Sequence, residues 1–221
     1  MKVYLFAFLL LLVLQSKGQN VFRIKSDFTI KEKKADGKQT LIIGKVYYDI
    51  NLKKVVYDIT FPEKETWVFK DDKLYNIKNN KTTNHSSINM SEYTIFHLSL
   101  TGKLFNFGME GSGYSVKKTE QDKGKIITTW TPPSGSKMIG DVKLMQEDKK
   151  LTGVVSFDKK DNLVSKQLFK NYVLLNGIAF PSEIIQTYYT DKSQENYKVI
   201  NFKNPVVNDL SNENLYNYPV N

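Results

Sequence analysis

The sequence predicts a mostly β protein: one highly curved antiparallel sheet of about ten strands with a short helical cover. Apolar and polar residues alternate with period two along most of the chain. Short groups of turn-forming residues separate these alternating runs. Only one segment has the residue spacing of an amphipathic helix. Because no repeat or long linker divides residues 19–221, we expect a single domain.

Residues 1–18 have the layout of a secretory signal peptide. Lys2 precedes an apolar run from Val3 to Leu14, and small or polar residues follow as far as Gly18. The run is shorter than the roughly 20 residues that span a bilayer. We therefore expect cleavage near residue 18 and release of a soluble protein into the periplasm, with an uncleaved anchor as the alternative. The chain has no cysteine, which excludes disulfides and thiolate chemistry.

The N-terminal half predicts five strands in a meander. The first strand has apolar residues at most even positions, and a turn at Ala35 to Lys38 leads into the second. Pro62 ends the third strand, Trp67 and Phe69 share one face of the fourth, and a turn at Asp71 leads into the fifth. The predicted strands cover residues 22–31, 40–50, 55–61, 67–70 and 74–77.

One helix is predicted after the meander. Residues 78–87 are polar and predict a loop. Residues 91–101 then place apolar side chains at helical intervals, with Asn89 or Ser91 as the N-cap, and the helix continues loosely to Phe107. Glycines at positions 108, 111 and 113 end it.

The C-terminal half again alternates strands and turns. Polar turns such as the one at residues 158–162 separate the strands. The predicted strands cover residues 114–120, 125–131, 138–146, 151–158, 163–173, 183–190 and 195–203. Residues 204–219 predict an extended strap over the sheet.

Charge argues against nucleic acid as a partner. The chain has a formal net charge of +9, yet Arg23 is its only arginine, and arginine is the usual side chain that binds phosphates and base edges. The lysines cluster in small groups at predicted turns. These groups are either solvated hairpin ends or contacts for an anionic membrane surface or acidic partner.

The sequence offers little for catalysis, and we expect a protein that is not an enzyme. His85 lies in a polar loop, and His97 lies among apolar residues as a core histidine. No zinc motif or nucleophile elbow is present, so we expect no metal, no cofactor and no catalytic residue. A hydrolase with two acids across a cleft stays open as an alternative.

Aromatic residues are abundant, with 13 Phe, 13 Tyr and 2 Trp. A strongly bent sheet has one inner face. A single helix either covers this face completely or leaves an apolar cavity that could bind hydrophobic ligands. Alternate residues of each strand point to the inner face, and we take the apolar ones as candidate cavity residues. A register error of one residue would exchange the inner and outer faces of the sheet. The candidates are Phe28, Ile30, Tyr48, Tyr57, Ile59, Phe61, Trp67, Phe69, Phe96 and Leu100.

Several segments, in their order and spacing, resemble the outer-membrane lipoprotein carrier (LolA-like) superfamily and its periplasmic lipoprotein-sorting relatives. The similarity covers most of residues 22–205. The segments begin with a strand that contains Asp27-Phe28 and a strand that starts at Gly44, followed by one that ends at Pro62. The others are a hairpin from Trp67 to Tyr75, a hairpin at residues 154–164 and the stretch 176–184.

The resemblance implies an eleven-stranded half-barrel whose concave apolar face is covered by helices, with residues 91–107 in the cover. It also implies transport of a lipoprotein or another lipid between an inner-membrane donor and an outer-membrane acceptor. Two departures stand out. Only Gln19 to Val21 separate the export signal from the first strand, and residues 53–57 lack the arginine that holds the family's lid shut.

The leading hypothesis is a monomeric periplasmic carrier that binds lipoprotein acyl chains or another lipid and delivers it toward the outer membrane. The alternative is a non-carrier envelope module of the same fold, acting as a sensor or an assembly partner.

Overall fold

A computed structural model describes residues 21–71, 73–79, 81–87, 91–136, 139–190 and 194–220. The predicted signal peptide and the candidate cap Asn89 lie outside these residues. Thirteen strands are present: β1 Arg23–Lys33, β2 Gln39–Asp49, β3 Lys54–Phe61, β4 Glu65–Lys70, β5 Lys73–Lys78, β6 Lys81–Ser87, β7 Ser115–Asp122, β8 Lys125–Thr131, β9 Ile139–Glu147, β10 Lys150–Asp158, β11 Leu163–Leu175, β12 Ile178–Tyr189 and β13 Glu195–Val207. The helices are α1 Ser91–Leu100 and α2 Glu213–Tyr216, and two 3₁₀ turns cover Leu104–Asn106 and Glu110–Ser112.

All thirteen strands form one antiparallel sheet in the order β6-β5-β4-β3-β2-β1-β13-β12-β11-β10-β9-β8-β7. The first and last strands pair at its centre, where Phe28 lies opposite Phe202. β6 and β7 follow each other in the chain but lie on opposite edges, so the sheet stays open. The predicted single curved sheet with a helical cover is confirmed.

The inner face of the sheet curves around α1. Phe96 on this helix is fully buried, and its ring packs against Tyr48, Phe180 and Phe202, with ring centroids 5.2 to 5.8 Å away. These partners come from β2, β12 and β13, so one side chain ties the cover to both halves of the sheet. The alternation of apolar residues produces this inner core because every second side chain points to the same face.

The outer face of β2 to β5 carries a second, smaller core. Tyr47, Val56, Val68 and Ile77 are buried there by the C-terminal tail, which adds Tyr216 from α2. The rings of Tyr47 and Tyr216 meet edge to face at 5.4 Å. The tail therefore lies on the convex side, with one helical turn in place of the extended strap that the sequence predicted.

Arg23 joins the C-terminal tail to the sheet, because it pairs with buried Asp49 at the end of β2 and with the exposed Glu213 on the tail. Arg23 Nε donates to Asp49 Oδ2 at 2.5 Å, and its other two nitrogens donate to the Glu213 carboxylate at 2.6 and 3.0 Å. The guanidinium also lies 4.6 Å from the centre of the Tyr216 ring. Lys54, which is 5 % exposed, donates to the Tyr218 carbonyl at 2.9 Å, and burial lowers its pKa.

The structure corrects several predicted bounds. The helix ends at Leu100 and does not continue to Phe107, because the chain turns there before the separate 3₁₀ turn at Leu104–Asn106. β13 runs to Val207, so residues 204–207 belong to the sheet and not to the predicted strap.

The polar segment predicted as a loop contains β6, an edge strand that pairs with β5 through backbone hydrogen bonds. β12 begins at Ile178, five residues before the predicted start, and Pro181 is buried within it opposite Tyr172. The Asn171 backbone beside this pair has a φ of +52°, which marks a local irregularity where a strand tolerates proline.

Candidate functional site

A cavity of about 780 Å³ opens where α1 ends, between the following 3₁₀ turn and strands β8 to β12. Its walls come from the helix exit, the turn at Leu104–Asn106 and the tips of three hairpins. The lining residues are Ser99, Leu100, Thr101, Gly102, Leu104, Phe105, Gly124, Ile126, Gln146, Asp148, Lys149, Lys150, Leu151, Tyr172, Gly177, Ile178 and Ala179.

The three hairpin tips align at this end because each is a tight two-residue turn. Lys123 and Gly124 have positive φ, as do the pairs Asp148-Lys149 and Asn176-Gly177. Positive φ at both central positions is the conformation that matches the twist of the flanking strands. Since neighbouring hairpins end together, their tips form a rim around the cavity.

Apolar side chains line the deeper part of the cavity. Leu151 is 1 % exposed and Leu104 is 6 % exposed, and both belong to the inner core. Leu100, Ile178 and Ala179 continue this wall, and charged lining residues are confined to the hairpin tip between β9 and β10. A deep apolar pocket with a few polar groups at its mouth is typical of a site for a hydrophobic ligand.

The polar groups of the cavity are used to build its walls. The Tyr172 hydroxyl donates to the Leu151 carbonyl at 2.6 Å, and burial raises its pKa, so the phenol stays neutral. Lys150 Nζ lies 5.8 Å from the centre of the Tyr172 ring. Gln146 Nε2 donates to the Phe105 carbonyl at 2.5 Å and ties the 3₁₀ turn to β9. These contacts favour binding and positioning over proton transfer.

Most of the ten candidate cavity residues pack against one another beneath the helix. Trp67 and Leu100 are partly buried at the edge of the inner core, and Phe61 is 47 % exposed. Only Leu100 of the ten lines the cavity. Whether any of the ten touches a ligand stays a prediction. The seven buried members are Phe28, Ile30, Tyr48, Tyr57, Ile59, Phe69 and Phe96.

The even–odd pattern of the strands did not predict most of the residues that line the cavity. Those residues come from hairpin tips and from the end of α1, where this pattern does not apply. Strand parity reports which side chains face inward, but it does not report where the helix stops filling that space. The pair Asn176-Gly177 is a strong signal for a two-residue hairpin. It would have placed a tight turn at residues 176–177 and made Ile178 and Ala179 the start of a strand.

His97 on α1 contacts β2 of the sheet. Its Nδ1 shares a hydrogen bond of 2.9 Å with the Tyr48 hydroxyl. Burial lowers the pKa of His97 below its usual value of 6.5, and the nearby charges of Lys103 and Lys53 act in the same direction. The neutral imidazole is therefore the form that suits the folded protein.

We expect the wild-type protein to lose stability as the pH falls through 6.5 toward the lowered pKa of His97. The folded state binds fewer protons than the unfolded state in that range, so acid favours unfolding. His97→Gln should remove this part of the pH dependence. Urea unfolding at about pH 7.5 and about pH 5.5 measures the difference. An equally steep loss in the variant would show that other groups cause it.

Across the described ranges, no group of three or more His, Cys, Asp or Glu side chains is arranged to hold a metal ion. Within the same residues, no helix has the length and hydropathy needed to cross a bilayer.

Comparisons with known proteins identify the fold. No protein-family model and no curated protein sequence matches the chain. Among solved structures, a LolA superfamily protein from Nitrosomonas europaea is similar at 13 % identity with a TM-score of 0.58, covering 93 % of this chain and 96 % of that one. A DUF1329 family protein from Desulfovibrio piger reaches a TM-score of 0.62 at 15 % identity, with 96 % of each chain covered. An outer membrane lipoprotein-sorting protein domain from Vibrio parahaemolyticus reaches 0.61 at 12 % identity, with 89 % of each chain covered.

These similarities extend over about nine-tenths or more of each chain. The identities are low, and they therefore establish architecture alone. The resemblance seen in the sequence is confirmed at that level: this chain has a LolA-like fold.

Proposed function

We propose that this protein binds the acyl chain of a lipid, lipoproteins included, in the cavity beside α1 and carries it through the periplasm toward the outer membrane. The observation that carries the proposal is the cavity itself: about 780 Å³, with apolar deep walls. That volume falls within the roughly 300–1,000 Å³ typical of sites for small ligands. The LolA-like fold supports the proposal.

Binding is driven by burial of hydrocarbon. Each CH₂ group that leaves water for an apolar wall contributes about 0.8 kcal/mol. The inner wall of Leu151, Leu104 and Ile178 supplies such a surface, whereas the charged residues at the rim stay in water. An acyl chain therefore enters with its tail inward and its polar end at the hairpin tips.

Release requires movement of the cover, and the 3₁₀ turn at Leu104–Asn106 is the part best placed to move. Glycines flank it: Gly102 has a φ of +67° and Gly108 a φ of +70°, so both hold backbone conformations that other residues rarely adopt. The hydrogen bond from Gln146 to the Phe105 carbonyl holds the turn closed. Opening this bond would uncover the cavity without unfolding α1.

Mass spectrometry of organic extracts from the purified protein tests the proposal, followed by exchange of the bound material against a fluorescent fatty acid. A lipid that exchanges is the expected result. Lipid that co-purifies but never exchanges would favour the non-carrier module instead. If no lipid binds under either condition, the proposed function is wrong.

Ala179→Phe should weaken binding of the fluorescent fatty acid by about tenfold, because the larger side chain fills space that the ligand needs. Val164→Phe is the matched control, since Val164 is 42 % exposed on β11 at the end far from the cavity. Titration of both variants under the same conditions measures the difference. Equal affinities would place the ligand elsewhere.

A further inference from the structure

The mouth of the cavity has an unusual surface. We define the mouth rim as Phe105, Ile126, Lys149 and Lys150, which all line the cavity and all lie at the protein surface. Phe105 is 50 % exposed and Ile126 is 44 % exposed. Two large apolar side chains thus stand in water immediately beside two lysines.

Further lysines surround the rim. Lys123 and Lys125 flank Gly124, and Lys103 lies between two lining residues. The acidic residues at the same hairpin tips are Asp122, Glu147 and Asp148. Five lysines thus face three carboxylates, which leaves an excess of positive charge around an apolar opening.

We propose that the mouth rim docks on an anionic lipid surface, with Phe105 and Ile126 inserted among the head groups and the lysines above them. This inference rests on the proposed function, because it assigns the surface through which a lipid enters or leaves the cavity. Apolar side chains bordered by lysines are the pattern that binds the interface of an anionic bilayer.

The geometry favours a membrane over a protein partner. A lipid that moves from a bilayer into the cavity avoids water only if the mouth lies against the bilayer during transfer. The three hairpin tips lie at the same end of the sheet and form a row. A row of tips can contact a flat membrane surface, whereas a peptide partner would need a groove. The long stems of the lysines also bury well beside acyl chains while their charged ends stay at the head groups.

Vesicle flotation tests the inference with purified protein that starts at residue 19, because the apolar run from Val3 to Leu14 would itself bind lipid. We expect binding to vesicles of phosphatidylcholine mixed with phosphatidylglycerol, and much weaker binding to phosphatidylcholine alone. Salt should weaken the binding to the anionic vesicles. Phe105→Ser should reduce it by about tenfold. Lys123→Gln combined with Lys125→Gln should reduce it by about fivefold for each lysine.

Matched controls lie at the other end of the sheet. Tyr197 near the start of β13 is 42 % exposed, close to the value for Phe105, and Tyr197→Ser should leave vesicle binding unchanged. Lys31→Gln combined with Lys33→Gln removes the same charge from β1 and should have at most a small effect. Losses as large as those at the rim would overturn the assignment of this surface.

Fatty-acid uptake from solution by the wild-type protein separates the two proposals. Uptake without vesicle binding would overturn the docking surface and leave the proposed function standing. Vesicle binding that depends on the rim, without any uptake, would contradict the proposed function and keep the surface. A concentration-dependent dimer that Phe105→Ser abolishes, with no vesicle binding, would assign the rim to a second copy of the chain and overturn the inference.

Discussion

Asp49→Ala is expected to lower the free energy of unfolding by about 3–5 kcal/mol, because it leaves the buried Arg23 guanidinium without its buried partner. The side chains of Arg23 and Asp49 are 9 % and 2 % exposed. Asp49 Oδ1 also accepts the backbone N–H groups of Asn51 and Leu52 at 2.8 and 3.1 Å, so the substitution loosens the turn after β2 as well. Urea unfolding measured by circular dichroism gives the loss.

Two further variants separate the causes of that loss. Asp49→Asn keeps an oxygen for the two turn hydrogen bonds, but it removes the charge and places an NH₂ donor where Oδ2 accepted from Arg23 Nε. Glu213→Ala removes the other carboxylate on Arg23, but this residue is 64 % exposed, so we expect less than about 1 kcal/mol. If Glu213→Ala and Asp49→Ala destabilise the protein equally, burial does not set the strength of this pair.

Phe96→Ala is expected to destabilise the protein by about 3–5 kcal/mol, the usual effect of removing a fully buried aromatic ring. The loss should be large here because the ring contacts Tyr48 from one half of the sheet and Phe180 and Phe202 from the other. Chemical denaturation should show a lower midpoint with an unchanged slope, since the amount of surface exposed on unfolding stays nearly the same.

The matched control for Phe96 is Phe105→Ala, which removes the same side chain from the same cover. Phe105 is 50 % exposed, so its loss should change stability by no more than about 0.5 kcal/mol. A similar loss for both variants would mean that the cover is held by its overall apolar content. The stacking of Phe96 between the two halves of the sheet would then have no special role.

Period-two alternation predicted most of the strands because half-buried strands need one apolar face. It predicted β3 well, where Val55, Tyr57 and Ile59 point into the inner core. It gave no sign that Val56 is buried as well, since the covering tail lies more than 150 residues away in the chain. β6 was missed for the opposite reason, because an edge strand that pairs through its backbone needs no apolar pattern.

The candidate site was harder to predict than the fold. The main helix was predicted to within one residue, as residues 91–101 against Ser91–Leu100, but its predicted loose continuation to Phe107 was wrong. Yet the position of the cavity depends on two features of the packing. Phe96 covers one part of the inner face, and the chain moves away from that face after Leu100. Those are properties of packing between distant segments, and a periodic pattern within one segment does not contain them.

The central pairing of β1 with β13 has a consequence for how the molecule acquires its structure. Within the described residues, the two halves of the sheet pair through β1 and β13, strands from opposite ends of the sequence, as at Ile24 and Val207. Such high contact order predicts slow folding, on a scale of milliseconds to seconds. A chain that emerges N-terminus first therefore cannot join its two half-sheets until β13, near its C-terminal end, is available to pair with β1.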